Sequence, residues 1–117
     1  MTERIIGCAY TVANGLGVGF LEKGDENALA HELRKAGLTE EQQCALEVRY
    51  DPVVAGEYVA DLLVACAVVV ELKAAKALDD VHAAQCMNSL KASALQVCLL
   101  ITFGSPRVEV RRIVDQF

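Results

Sequence analysis

Apolar side chains recur at helical spacing near the start of the chain. Ile5, Ile6, Ala9, Val12 and Leu16 line up behind Thr2, a residue able to cap a helix. The stretch NGLGVG breaks that helix. A second is predicted over roughly 20–36, with Leu21, Ala28, Leu29 and Leu33 inward and Gly37 as its stop. Gly24 inside it costs about 1 kcal/mol of helix propensity. From Gln43 onward the period falls to two. CALEVRY alternates, DPVVAGE reads as a turn or short ribbon, and YVADLLV and AVVVELK read as two buried strands. Asp79 or Asp80 can cap a third helix to about Ala92, where Ala83, Cys86, Met87 and Leu90 share a face. LQVCLLITF is another buried strand, GSPR a turn, and VEVRRIV a last strand of mixed character. The order ααβββαββ predicts an α/β (α+β) fold, a mostly buried mixed sheet between helices.

Composition narrows this picture. The 117 residues suit a single domain, 1–117, and 54% hydrophobic content with 5% aromatics and no Trp leaves Val, Leu, Ile and Ala to fill the core. Such an apolar excess in so small an interior points to a homodimer. A net charge of −5 excludes coating nucleic acid by bulk charge. A local groove could still draw on Lys76, Lys91, Arg107, Arg111 and Arg112, each otherwise an ordinary solvated group. Five scattered cysteines without a CxxC pair read as small buried hydrophobes in a reducing compartment. The run IIGCAYTVA follows Glu3 and lacks a small-residue cleavage site, so a cytoplasmic protein with no membrane span is expected. His31 and His82 fall on different predicted helices and make no zinc site.

The chemistry lies in EYVADLLVACAVVVELKAA, residues 57–75, where Asp61, Glu71 and Lys73 interrupt two very apolar runs. Glu71 and Lys73, two apart on a strand, project to the same face, and Asp61 comes from the neighbouring strand at nearly the same height. Two carboxylates about 4 Å apart repel by about 1 kcal/mol in water and about 4 kcal/mol at an effective dielectric of about 20. A divalent cation between them removes that cost. Mg²⁺ (or Mn²⁺) takes carboxylate oxygens and keeps waters for chemistry, with Lys73 facing the water or a scissile phosphate. One condition attaches to the register. If Ala65 and Cys66 form a two-residue hairpin loop, Asp61 opposes Val70 and Glu71 points to the other face, so an odd loop, a bulge or splayed strands are required. The plainer alternative is a partly buried Asp61–Lys73 ion pair with Glu71 in solvent.

GFLE, ENALAHELRKAGL, GEYVADLLV, VVVELKA, LDDVHAAQCMNSLKAS and LLITFGSPRVEVRRIV, taken together and in this order, resemble the GxxExxY family of the PD-(D/E)XK nuclease superfamily, near its RecB-like branch. The resemblance implies a restriction-endonuclease-like core whose active site lies where two central strands diverge. It places Asp61 and Glu71-x-Lys73 at metal and catalytic positions, and the Leu72 carbonyl as a further metal ligand. Gly19-x-x-Glu22 matches the opening of the family's name motif, which makes Glu22 another metal or water ligand. Gln85 matches the glutamine of a Q-x-x-x-Y element facing the site. The chain departs from the pattern at Asp25 and Ser89, where tyrosines are usual, at Val12-Ala13, where a histidine is missing, and at Ala60 in place of proline. The implied activity is hydrolysis of DNA phosphodiester bonds with Mg²⁺, on weak, phosphate-directed, salt-sensitive binding. The departures support an alternative, a catalytically impaired nuclease fold serving as a binding or assembly module.

Overall fold

Val68–Lys73 forms the strand around which the chain is organised, and every residue of it except Lys73 is buried. Successive side chains of a strand point to opposite faces, so one buried on both sides needs helices above and below. The computed structural model describes residues 1–16, 22–73, 80–103 and 108–115, without the side chains at 22, 48–50, 55 and 92. The elements run α1 (Thr2–Leu16), α2 (Glu22–Lys35), β1 (Glu40–Tyr50), β2 (Val53–Val64), β3 (Val68–Lys73), α3 (Asp80–Ser93), β4 (Val97–Thr102) and β5 (Glu109–Val114), the predicted order. The strands form one sheet in the order β1-β2-β3-β4-β5. β3 and β4 are parallel, and the remaining neighbours are antiparallel. Parallel strands cannot be joined by a tight turn, so α3 carries the chain back between them.

Helices α1 and α2 cover one face. Ile5, Ala9, Leu29 and Leu33 pack there on Leu62, Val70, Leu72 and Ile101. Helix α3 covers the other, setting Cys86 and Leu90 against Val69, Cys98 and Leu100. Each fully buried Leu or Ile contributes about 1.5–3 kcal/mol by leaving water. Gly37 ends α2 as predicted. At φ +81° it takes a left-handed conformation, with its N–H donating to Arg34 O (3.0 Å) and the Leu38 N–H to Leu33 O (3.0 Å). The Arg4 guanidinium caps the Ala36 carbonyl and ties α1 to that end.

Two expectations need correction. The segment 53–57, read as part of a turn or short ribbon, belongs to the long strand β2. Pairing continues to Tyr50↔Val53 across a shift between Val48 and Arg49, with the bend at Asp51 (φ +56°) and Pro52. Gly56 is tolerated in β2 because the long partner strand β1 holds it in register opposite Val48. Cys66 is exposed, unlike the other four cysteines, because it sits at the tip of the β2–β3 hairpin.

Candidate active site

The ladder between β2 and β3 runs from Val64↔Val68 to Leu62↔Val70 and stops there. The connection has three residues, Ala65 to Ala67, with Ala65 and Cys66 both at positive φ (+54° and +55°). An odd loop of this kind brings Asp61 level with Glu71 instead of Val70, so the register condition is met. At this level side chains take over from the backbone. Glu71 Oε1 accepts the Asp61 N–H at 3.2 Å, and Asp61 Oδ2 accepts the Leu72 N–H at 2.7 Å. The alternation of β2 also skips a beat here. Leu62 and Val64 pack beneath α1 and α2, whereas Tyr58 and Ala60 belong to the core beneath α3.

Glu71 is only 3% exposed. Burial, and then the negative charge of Asp61, push its pKa up to about 7. Three neighbours oppose that rise: the Tyr58 hydroxyl, which donates to Oε2 at 2.9 Å, the Asp61 N–H and the nearby Lys73 ammonium. Burial drives the Tyr58 phenol well above its ordinary value, which keeps it a donor, and Ser89 of α3 lies beside it. Lys73 is half-buried, two residues along the same pleat face as Glu71. Glu71 and Lys73 pair with Leu100 and Thr102 near the carboxyl ends of the parallel pair β3–β4. Crevices outside such strand ends are where ligands bind in open α/β sheets. The alternative that left Glu71 in solvent is overturned by its burial.

The other predicted residues fare differently. Leu72, between Glu71 and Lys73 in sequence, is buried, its N–H already held by Asp61. Gln85 lies on α3 with an exposed side chain that none of the hydrogen bonds among the described residues joins to Asp61 or Glu71. Ser89, one turn on and buried, donates to the Gln85 carbonyl at 3.0 Å and occupies the inner position instead. Glu22 opens α2, but its side chain lies outside the described residues. Of the basic candidates, Lys76 and Arg107 also lie outside them. Lys91 and Arg112 are exposed, and Arg111 stands 3.6 Å from Asp80.

Sequence reasoning missed a polar layer on α2. Asp25 and Glu26 are buried, at 7% and 3% exposure. Burial raises the Asp25 pKa. For Glu26 burial pushes the same way, but hydrogen bonds from Lys23, Gln42 and Gln43 outweigh it and hold the carboxyl below its ordinary value. Only one signal pointed here, the replacement of an expected tyrosine by Asp25.

Asp61 and Glu71 offer a pair of oxygen donors suited to a hard divalent cation, and the repulsion felt by Glu71 is what such a cation would relieve. Among the described residues no third His, Cys, Asp or Glu joins Asp61 and Glu71. Waters and substrate oxygens would complete the coordination, as is usual for Mg²⁺. A surface groove lined by Cys66, Val68, Leu95 and Arg112 lies at the opposite end of these strands.

Carboxylates at a strand divergence, followed by a lysine two residues on, are the arrangement the resemblance implied. A model of the PD-(D/E)XK nuclease superfamily matches residues 1–113. The chain belongs to that superfamily. Among solved structures, the PD-(D/E)XK chain is similar to an alkaline exonuclease from Laribacter hongkongensis, with a TM-score of 0.60 and 14% identity over 99% of this chain and 71% of that one. At that identity the likeness speaks for the fold, a five-stranded mixed sheet flanked by helices as in restriction-endonuclease-like cores. No curated protein matches the chain. No helix among the described residues is long and apolar enough to cross a membrane.

Proposed function

We propose that this PD-(D/E)XK protein is a nuclease that hydrolyses DNA phosphodiester bonds with Mg²⁺ or Mn²⁺. The observation that carries the reading is the meeting of Asp61 and Glu71 on one level of the sheet, beside Lys73, where β2 and β3 part. In this reading Asp61, Glu71 and the Leu72 carbonyl hold the cation, with Glu22 as a further ligand from α2. The bound ion would polarise a phosphate oxygen and lower the pKa of its water. Lys73 holds the attacking water in line or stabilises charge growing on the phosphate oxygens. Glu71 must be ionised to serve, so Tyr58 supports the charged form through Oε2. Water adds to phosphorus, the P–O ester bond breaks, and the leaving oxygen takes a proton. The resemblance alone assigns Gln85 to positioning the nucleophile or a base. DNA, and membership of the GxxExxY family, rest on the resemblance of the motifs. Too few basic groups cluster for sequence reading, so binding is weak, phosphate-directed and steeply salt-dependent.

A second reading keeps the fold as a binding or assembly module. Its support is that the oxygens of Asp61 and Glu71 already accept Tyr58, Asp61, Leu72 and Gln43 donors, while Asp25 and Ser89 replace tyrosines. Titration of Mg²⁺ or Mn²⁺ against mixed DNA and RNA substrates separates the two. The nuclease reading expects metal-dependent cleavage of DNA that Asp61→Asn and Glu71→Gln abolish in folded protein. Wild type that neither binds metal nor cleaves would sink it. A module would keep its partner in the Glu71→Gln variant.

A further inference from the structure

Opposite Asp61 in β1, between Gln42↔Leu62 and Cys44↔Ala60, stands Gln43 at φ +51°. This is the left-handed region, which an unbranched side chain enters only at a cost and glycine enters freely. A strained residue inside a strand needs a reason that its backbone does not supply. The side chain supplies one. Gln43 Nε2 donates to Glu26 Oε1 at 2.6 Å and reaches Asp61 Oδ1 at 3.5 Å. Glu26, 3% exposed, is itself fixed from its other oxygen by Lys23 Nζ (2.9 Å) and Gln42 Nε2 (2.6 Å). A buried carboxylate on α2 thus anchors an amide that spans to the oxygen of Asp61 not used by Leu72. Glycine would relieve the backbone but carry no amide. Asparagine tolerates the same backbone but is one methylene short.

We infer that Gln43, anchored by Glu26, is a positioning residue that fixes the rotation of Asp61 and so presents its carboxylate to the cation. The inference rests on the nuclease reading for its consequence, though not for its geometry. Two contacts hold the Asp61 carboxylate plane: Leu72 N–H on Oδ2 and Gln43 on Oδ1. Removing the second frees the torsion and weakens the first. Partners that orient a metal ligand commonly matter about tenfold or more in metal affinity.

The test compares wild type, Gln43→Gly and Gln43→Asn by thermal denaturation, by hydrogen exchange at the Leu72 amide without metal, and by Mn²⁺ binding with calorimetry. Both variants should exchange the Leu72 amide faster than any change in melting temperature accounts for, and bind Mn²⁺ about tenfold more weakly. Leu72 exchange unchanged in both variants would overturn the inference. So would faster exchange that merely follows a fall in melting temperature, since Gln43 would then be structural. Wild type that takes up no Mn²⁺ counts against the nuclease reading instead, and the Leu72 amide still decides whether Gln43 positions Asp61.

Discussion

Replacing Glu71 by Gln should make the metal-free protein more stable above neutral pH while removing its ability to bind a cation. Burial keeps a proton on Glu71 in the folded chain at pH values where the unfolded chain has shed it. Between 4.5 and about 7 the native state therefore binds more protons, and its stability falls as pH rises. Below that window the stability is fully present; above it the loss is complete. The gap between 4.5 and about 7, at about 1.4 kcal/mol per unit, sets that loss at up to about 3 kcal/mol. Gln is neutral throughout and has no such slope. Its Oε1 can accept the Asp61 N–H, and its Nε2 can donate to the rotatable Tyr58 hydroxyl, so neither neighbour is orphaned. At roughly 4 °C per kcal/mol for a chain of this size, Glu71→Gln should melt several degrees and up to about 12 °C above wild type at pH 8 in EDTA. The two should coincide near pH 4.5. Saturating Mg²⁺ at pH 8 should then raise wild type by about 2–4 kcal/mol through mass action and leave the variant unmoved. The measurement is thermal unfolding across pH 4.5–8 with and without metal. A pH-independent difference, or a variant less stable than wild type at pH 8 in EDTA, would refute the reasoning.

Other outcomes follow from single contacts. Tyr58→Phe removes the donor to Glu71 Oε2. A hydrogen bond to a charged acceptor worth about 1.5 kcal/mol should move the Glu71 pKa upward by about one unit, read from the carboxyl carbon by NMR. The acid limb of cleavage should shift with it. Gly37→Ala puts a side chain at φ +81° where nothing lies within 4 Å of the new Cβ, so backbone conformation alone should lower stability, by about 1 kcal/mol in urea unfolding. Of the five thiols, Cys66 should react with a disulfide reagent in the native state, and the other four should wait for unfolding. Rapid modification of Cys86 or Cys98, whose sulfurs lie 2.9 Å apart in the core, would contradict the packing of α3 on β4.

The chain itself carries its element order. Period-two and period-3.6 patterns, Gly37, and the unbroken apolar runs of β3 and β4 admit little but a sheet between helices. Asp61, Glu71 and Lys73 were legible for the same reason, because charge in a strand otherwise buried on both faces is costly and therefore informative. What periodicity could not decide was whether those charges meet. That depended on one residue of loop length, since Ala65 and Cys66 adopt positive φ and Ala67 joins them to set Asp61 against Glu71. Nor could it reveal the burial of Asp25 and Glu26 or the inward turn of Ser89, all polar types that pattern reading assigns to a helix's outer face. Burial of such groups is settled by partners that arrive from elsewhere. Gln42 and Gln43 reach Glu26 from β1, and Tyr58 reaches Glu71 from β2, and no local stretch encodes those encounters.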